Sequence, residues 1–121
     1  MNWICGSSIL NQHFLLTAAH CLEDCNRSGY INTVVGNENI NKGHKSSATH
    51  FKIHERYNPH TLQSDIGLVR MKTPIRFSNN VKRVILQKKP DFTQIADIAG
   101  WGLIDVIDFN LNTLHMKYKT D

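Results

Sequence analysis

The sequence lacks any apolar run that could cross a bilayer, which takes about 18 residues or more. The longest apolar stretch, residues 14–19, is only as long as a β-strand. Helical periodicity is also nearly absent, and one turn around residues 18–22 is the only candidate of note. These absences argue against a membrane partner and against a mainly helical fold.

The sequence also lacks a basic stripe interleaved with aromatic residues, which a nucleic-acid-binding surface would show. Its net charge of +4 comes from lysines and arginines scattered along the chain. We therefore expect an ordinary solvated surface and no nucleic-acid partner. Apolar residues make up 40% and charged residues 20% of the 121 positions, which suits a single small globular domain.

Cysteines are few and odd in number, namely Cys5, Cys21 and Cys25, so they cannot all pair with one another. The N-terminus shows no basic segment, apolar region and cleavage site of a secretory leader. We expect either a mature fragment or a chain that has lost its first segment. Asn26-Arg27-Ser28 matches the glycosylation sequon, which matters only on the secretory path.

The sequence does contain many short apolar stretches separated by turn signals, a pattern typical of an all-β sandwich or barrel. Gly36-Asn37 is one such turn, and residues 57–60 read as a loop. The predicted strands are Ser8–Leu16, Ile31–Val35, Ala48–His54, Ile66–Met71, Val81–Leu86, Ile95–Ala99 and Leu114–Tyr118. Alternation within Ile66–Met71 predicts that Gly67, Val69 and Met71 share one face.

The most informative segment is Leu16-Thr17-Ala18-Ala19-His20-Cys21. A strand delivers His20 between small alanines and a cysteine, which lets an imidazole stand at a cleft. Histidine suits general acid–base chemistry because its unperturbed pKa, about 6.5, lets it accept and return a proton around neutrality. The alternative, a buried structural histidine beside a disulfide, is disfavoured.

Together with Cys5-Gly6-Ser7-Ser8, this segment resembles the histidine signature of the trypsin-like (chymotrypsin-fold) serine peptidases, a family of secreted two-barrel endopeptidases. Asp65 follows His20 by 45 residues, the interval between base and carboxylate in that family's own reference enzyme. The resemblance implies that His20 is the general base and that a buried Asp65 accepts a hydrogen bond from its Nδ1–H. It also implies a disulfide between Cys5 and Cys21.

The family's nucleophilic serine lies about 90 residues beyond the carboxylate, and this chain ends before that point. None of its serines stands in the Gly-Asp-Ser-Gly-Gly setting of the nucleophile. We therefore expect a serine endopeptidase chain truncated before the nucleophile and inactive alone. The alternative is a non-catalytic homologue that serves as a binding or regulatory module.

The resemblance implies an antiparallel Greek-key β-barrel over residues 1–99, lacking its first strand. Residues 100–121 would form the crossing segment and the opening strand of a second barrel, and Ala99-Gly100-Trp101-Gly102 resembles the family's packing element at that crossing. Expected partners are protein or peptide substrates, with a missing second barrel or partner chain covering the bare barrel face. The expected location is extracellular.

No cofactor or metal is expected. The seven histidines prompt a metal-binding alternative, chiefly through His50 and His54. Positions four apart in a strand share a face but lie about 13 Å apart, too far to hold one ion together. No cysteine pair has the spacing of a zinc site.

Overall fold

The computed structural model describes residues 4–23, 25, 30–89, 91, 93–95 and 99–101. The elements assigned to these residues are β1 (Ser8–Ile9), β2 (Phe14–Thr17), the 3₁₀ turn η1 (Ala19–Cys21), β3 (Asn32–Val35), β4 (His44–Ile53) and β5 (Gly67–Met71). The strands form one antiparallel curled sheet in the order β1-β2-β5-β4-β3. The predicted all-β antiparallel fold is confirmed. Within the described part of the chain, no helix is long and apolar enough to span a membrane.

The prediction of one strand over Ser8–Leu16 is wrong, because a tight turn divides this segment into β1 and β2. The side-chain oxygen of Asn11 accepts hydrogen bonds from the backbone N–H groups of His13 (2.8 Å) and Phe14 (2.9 Å). An asparagine that bonds the backbone two or three residues ahead stabilises a turn. The chain therefore folds back, and Ser8 and Ile9 pair with the end of β2.

β3 confirms the predicted strand at Ile31–Val35, whereas β4 starts well before the predicted Ala48. Residues 44–47 are polar, yet they pair with all four residues of β3 and so extend β4 to His44. Gly36 ends β3 with a φ of +86°, a left-handed conformation that glycine adopts without strain. The predicted turn at Gly36-Asn37 is thereby explained.

β5 lies at the centre of the sheet and contributes most directly to the core. Its alternation is as predicted, with Gly67, Val69 and Met71 buried and the residues between them exposed. Leu15 on β2 pairs with Val69, and only 2% and 3% of these two residues are exposed. The buried cluster consists of Leu15, Leu22, Val69, Met71, Ile75 and Val81.

The predicted strand Val81–Leu86 is absent. Val81 forms only an isolated bridge with Ser78, and the Val84 N–H donates to the carbonyl of Ile9 (2.8 Å). Val84 and Ile85 are 45% and 86% exposed, and this apolar segment forms no strand. Of the predicted strand Ile95–Ala99, Ile95 and Ala99 are described and lie outside any strand. Residues 96–98 and Leu114–Tyr118 fall outside the described residues.

Residues 7–85 form one compact unit that contains the whole sheet. Residues 1–6 and 86–121 are grouped as a second unit, of which the structure describes only short stretches. The predicted division into residues 1–99 and 100–121 stays a prediction.

Candidate active site

The sheet topology brings His20 and Asp65 to the same end of the sheet. His20 follows β2, whose last residue, Thr17, pairs with Gly67, the first residue of β5. Asp65 lies just before β5. Because β2 and β5 run antiparallel, the end of one strand lies beside the start of the other. Two residues that are 45 positions apart in sequence therefore meet.

The 3₁₀ turn η1 exposes the imidazole while burying the residues around it. The backbone N–H of Leu22 donates to the Ala19 carbonyl (2.9 Å), which closes the turn. Ala19 is fully buried and Leu22 is 3% exposed, whereas 53% of the His20 side chain is accessible. A larger residue than alanine at position 19 would have to displace the core beneath it. The predicted helical turn at residues 18–22 is confirmed by η1.

Gly67 provides the space into which η1 packs. A Cβ atom at this position would lie 2.5 Å from Leu22 Cδ1 and 3.7 Å from the Ala19 Cα. Because Gly67 has no side chain, η1 can lie against the beginning of β5, the strand that follows Asp65. A glycine inside a strand pattern is a known sign of close backbone approach, although the sequence did not show which element would approach.

Asp65 holds His20 at two points. Its Oδ2 lies 2.7 Å from His20 Nδ1, and its Oδ1 accepts the backbone N–H of His20 at 2.8 Å. An ionised carboxylate can only accept hydrogen bonds, so Nδ1 carries the proton in this pair. In the neutral imidazole, Nε2 is then the basic nitrogen, and the ring cannot turn without losing the Nδ1 bond.

The same contacts keep Asp65 ionised. The pKa of its carboxyl group is lowered, chiefly by the backbone N–H of His20 and then by the imidazole, against an opposing effect of desolvation. About 21% of the Asp65 side chain remains exposed, so the carboxylate is only partly buried, whereas a buried one was expected.

Both cysteines of the predicted disulfide, Cys5 and Cys21, are disulfide-bonded, and the prediction is confirmed. The Cys21 sulfur lies 3.6 Å from His20 Nε2. A sulfur in a disulfide carries no thiolate charge and is not a metal ligand, which leaves Nε2 available as a base. Cys25 lies half-buried against the core, and its sulfur donates to the Cys21 carbonyl at 3.7 Å.

Tyr57 and Glu23 lie near the pair, which the sequence did not reveal. The pKa of the Tyr57 hydroxyl is raised by desolvation, by the nearby carboxylate of Glu23 and by the charge of Asp65. Glu23 follows η1 and Tyr57 precedes Asp65, so the two residues belong to the same two segments as the His20–Asp65 pair. A tyrosine in a loop and a glutamate after a turn carry no sequence signal of this proximity.

A curled antiparallel half-barrel with a histidine–aspartate pair at one end is the arrangement of the first half of a chymotrypsin-fold serine peptidase. Residues 2–119 match the family described as Trypsin, and the chain belongs to this family. The predicted family is thereby confirmed, and the curled antiparallel sheet agrees with the predicted trypsin-like β-barrel fold.

Curated relatives agree with this assignment. The chain is 34% identical to "Trypsin" from Sarcophaga bullata over 84% of its own length and 41% of that protein. It is 32% identical to "Trypsin beta" from Drosophila erecta, over 81% of its own length and 39% of that protein. It is 33% identical to "Hypodermin-B" from Hypoderma lineatum, over 83% of its own length and 40% of that protein. The chain thus spans about two fifths of the length of these relatives.

Proposed function

We propose that this chain belongs to a serine endopeptidase in which His20 is the general base and Asp65 orients it. The observation that carries the proposal is that Asp65 makes two hydrogen bonds to His20, with Oδ2 2.7 Å from Nδ1 and Oδ1 2.8 Å from the backbone nitrogen. The Asp65 carboxylate stays ionised, holds the Nδ1–H tautomer and stabilises the imidazolium that forms during turnover.

The proposed reaction is hydrolysis of a peptide bond by acyl transfer. His20 Nε2 accepts the proton of the attacking serine hydroxyl and later returns it to the leaving amine. The serine and the amides that stabilise the oxyanion are proposed to come from protein sequence beyond Asp121. The substrates are proteins or peptides, and the reaction needs no cofactor. The disulfide and the family support an extracellular location.

A non-catalytic homologue that binds or regulates a partner is the second candidate. It is favoured by one observation, that no serine in the 121 residues lies in a Gly-Asp-Ser-Gly-Gly sequence. The two candidates differ in whether the gene product that contains this chain includes that sequence.

The deciding experiment begins with the complete reading frame that contains these residues. We expect it to encode a Gly-Asp-Ser-Gly-Gly segment and its activated product to react with a fluorophosphonate probe. In the chymotrypsin family, replacing the orienting aspartate by asparagine lowers kcat about 10⁴-fold, and we expect Asp65→Asn to have an effect of that order. His20→Ala should have at least as large an effect.

His13→Ala is the matched control, because His13 is an exposed histidine in the turn between β1 and β2. Its activity should equal that of the wild type. A reading frame without the serine segment, together with a stable product that ignores the probe, would establish the non-catalytic alternative. An active enzyme that tolerates His20→Ala would refute both assigned roles.

A further inference from the structure

The residue just before the proposed carboxylate has an unusual backbone conformation. Ser64 has a φ of +54°, in the left-handed region that residues with a Cβ seldom adopt. Leu62, two positions earlier, has a φ of +57°. Strained backbone tends to cluster at functional sites, where the surrounding structure holds it in place. The contacts of the loop around Ser64 show what holds this conformation.

Residues 54–66 form a loop that is closed on both sides of Ser64. At its base, the His54 N–H donates to the Ile66 carbonyl (3.0 Å). Near its tip, Asn58 pairs with Gln63, and the Leu62 N–H donates to the Asn58 carbonyl (2.8 Å). With the chain fixed at Gln63 and at Ile66, only Ser64 and Asp65 can absorb the change of direction between them.

The reversal takes the form of a three-residue turn centred on Asp65. The Ile66 N–H donates to the Ser64 carbonyl (2.8 Å), a bond between residues two apart that defines a γ-turn. From this turn both carboxylate oxygens reach His20, one at the ring and one at the backbone. The Ser64 hydroxyl makes no hydrogen bond within the described part of the chain. The backbone of Ser64, and not its side chain, is thus the part that acts on Asp65.

We propose that Ser64 is a positioning residue, whose left-handed backbone sets the turn that aims the Asp65 carboxylate at the backbone nitrogen and at Nδ1 of His20. Ser64 contacts no reacting atom itself. The catalytic consequence of this inference rests on the proposed function, whereas its structural part concerns only the Asp65–His20 contact. The two parts can therefore be tested separately.

Two substitutions separate the backbone of Ser64 from its hydroxyl. Ser64→Gly removes the hydroxyl and keeps easy access to the left-handed region. Ser64→Thr keeps a hydroxyl and adds a branch at Cβ that disfavours this region. If the backbone positions Asp65, Gly is tolerated and Thr is not; if the hydroxyl does so, the order is reversed.

The first measurement is the pKa of the Asp65 carboxyl group, followed by carbon NMR in the 121-residue chain. We expect it to stay low in Ser64→Gly and to rise toward the ordinary aspartate value in Ser64→Thr, because the turned carboxylate loses its two donors. In the full-length enzyme, kcat should fall about tenfold in Ser64→Thr with KM unchanged, because a branched Cβ adds to the cost of the left-handed conformation that serine already adopts.

Leu62→Thr is the matched control, since it adds the same branch at another left-handed residue of the loop that does not adjoin Asp65. It should leave the Asp65 pKa low. If Ser64→Thr does not fold, Ser64→Gly alone decides the matter: an Asp65 pKa that stays low supports the role of the backbone, and one that rises overturns it.

An unchanged Asp65 pKa in Ser64→Thr, or a rise in Ser64→Gly, would overturn the positioning role. Loss of activity in His20→Ala combined with a normal Ser64→Thr enzyme would reject this inference and leave the proposed function intact. A shifted Asp65 pKa in an enzyme that does not need His20 would reject the proposed function and retain the positioning of the carboxylate.

Discussion

At the scale of single residues, His20 and Asp65 were identifiable because their neighbours match family motifs. Their meeting at 2.7 Å agrees with the sequence prediction, although their catalytic roles stay proposals. The second hold, from the Asp65 carboxylate to the His20 backbone, could not be predicted because residue types do not encode which backbone N–H a carboxylate will reach. The left-handed Ser64 was equally hidden, since serine, unlike Gly36, does not mark such a conformation.

The lowered pKa of Asp65 predicts a dependence of stability on acid pH. A carboxyl group whose pKa is lower in the folded than in the unfolded chain contributes stability that is fully present above the unfolded value, about 3.9, and is lost as pH falls through the folded value. Urea midpoints of the wild type and Asp65→Asn should differ at neutral pH and converge as the pH falls below about 4. A difference that persists unchanged at low pH would contradict this linkage.

At the scale of elements, alternation of apolar and polar residues predicted the central strand most accurately. β5 is the clearest case, because its buried face is defined by Val69 and Met71. Alternation failed where pairing with a neighbouring strand decides whether a segment becomes a β-strand. Residues 44–47 are polar and still form a strand against β3, whereas Val84 and Ile85 are apolar and form none. The turn at Asn11 was missed because the rest of this segment resembles a strand, and the turn depends on hydrogen bonds to a single side-chain oxygen.

Gly67 yields a prediction about how η1 packs on β5. In most strands, exchanging glycine for alanine is favourable or neutral, but here the new Cβ would lie 2.5 Å from Leu22 Cδ1 and 3.3 Å from the Lys52 carbonyl oxygen. We expect Gly67→Ala to lower the free energy of unfolding by about 1–3 kcal/mol, the usual cost of overpacking. Denaturant unfolding measures this change.

The control shortens Leu22, the side chain with which an alanine at position 67 would clash. Leu22→Ala alone leaves a cavity and costs about 2–5 kcal/mol, but in that background the added methyl group at position 67 has room. The double variant should therefore be more stable than the sum of the single changes implies. Strict additivity of the two changes would show that Leu22 is not what resists a side chain at position 67.

At the scale of the whole molecule, apolar side chains remain exposed on the outward face of the central strand and beside it. Leu68, at 38% exposure, lies between Leu16 and Lys52 on the neighbouring strands, and Ile66 is 42% exposed. Exposed apolar side chains of this kind favour association. We predict that the 121-residue chain self-associates in solution, as sedimentation velocity would measure.

Leu68→Lys should weaken that association, because it places a charge in the middle of the apolar face. Arg70→Lys, on the same face of β5, keeps its charge and should not change the association. A wild-type chain that sediments as a single monomeric species at high concentration would refute the prediction.

The central place of β5 in the sheet also affects how fast its backbone amides exchange hydrogen with solvent. Its amides are bonded to strands on both sides, whereas β1 has two residues and lies at an edge. Local opening starts where few bonds hold the backbone, so deuterium should enter β1 early and β5 last. The chain leading into β5 carries Asp65, and the proposed orienting carboxylate is therefore joined to the part of the protein that is slowest to open.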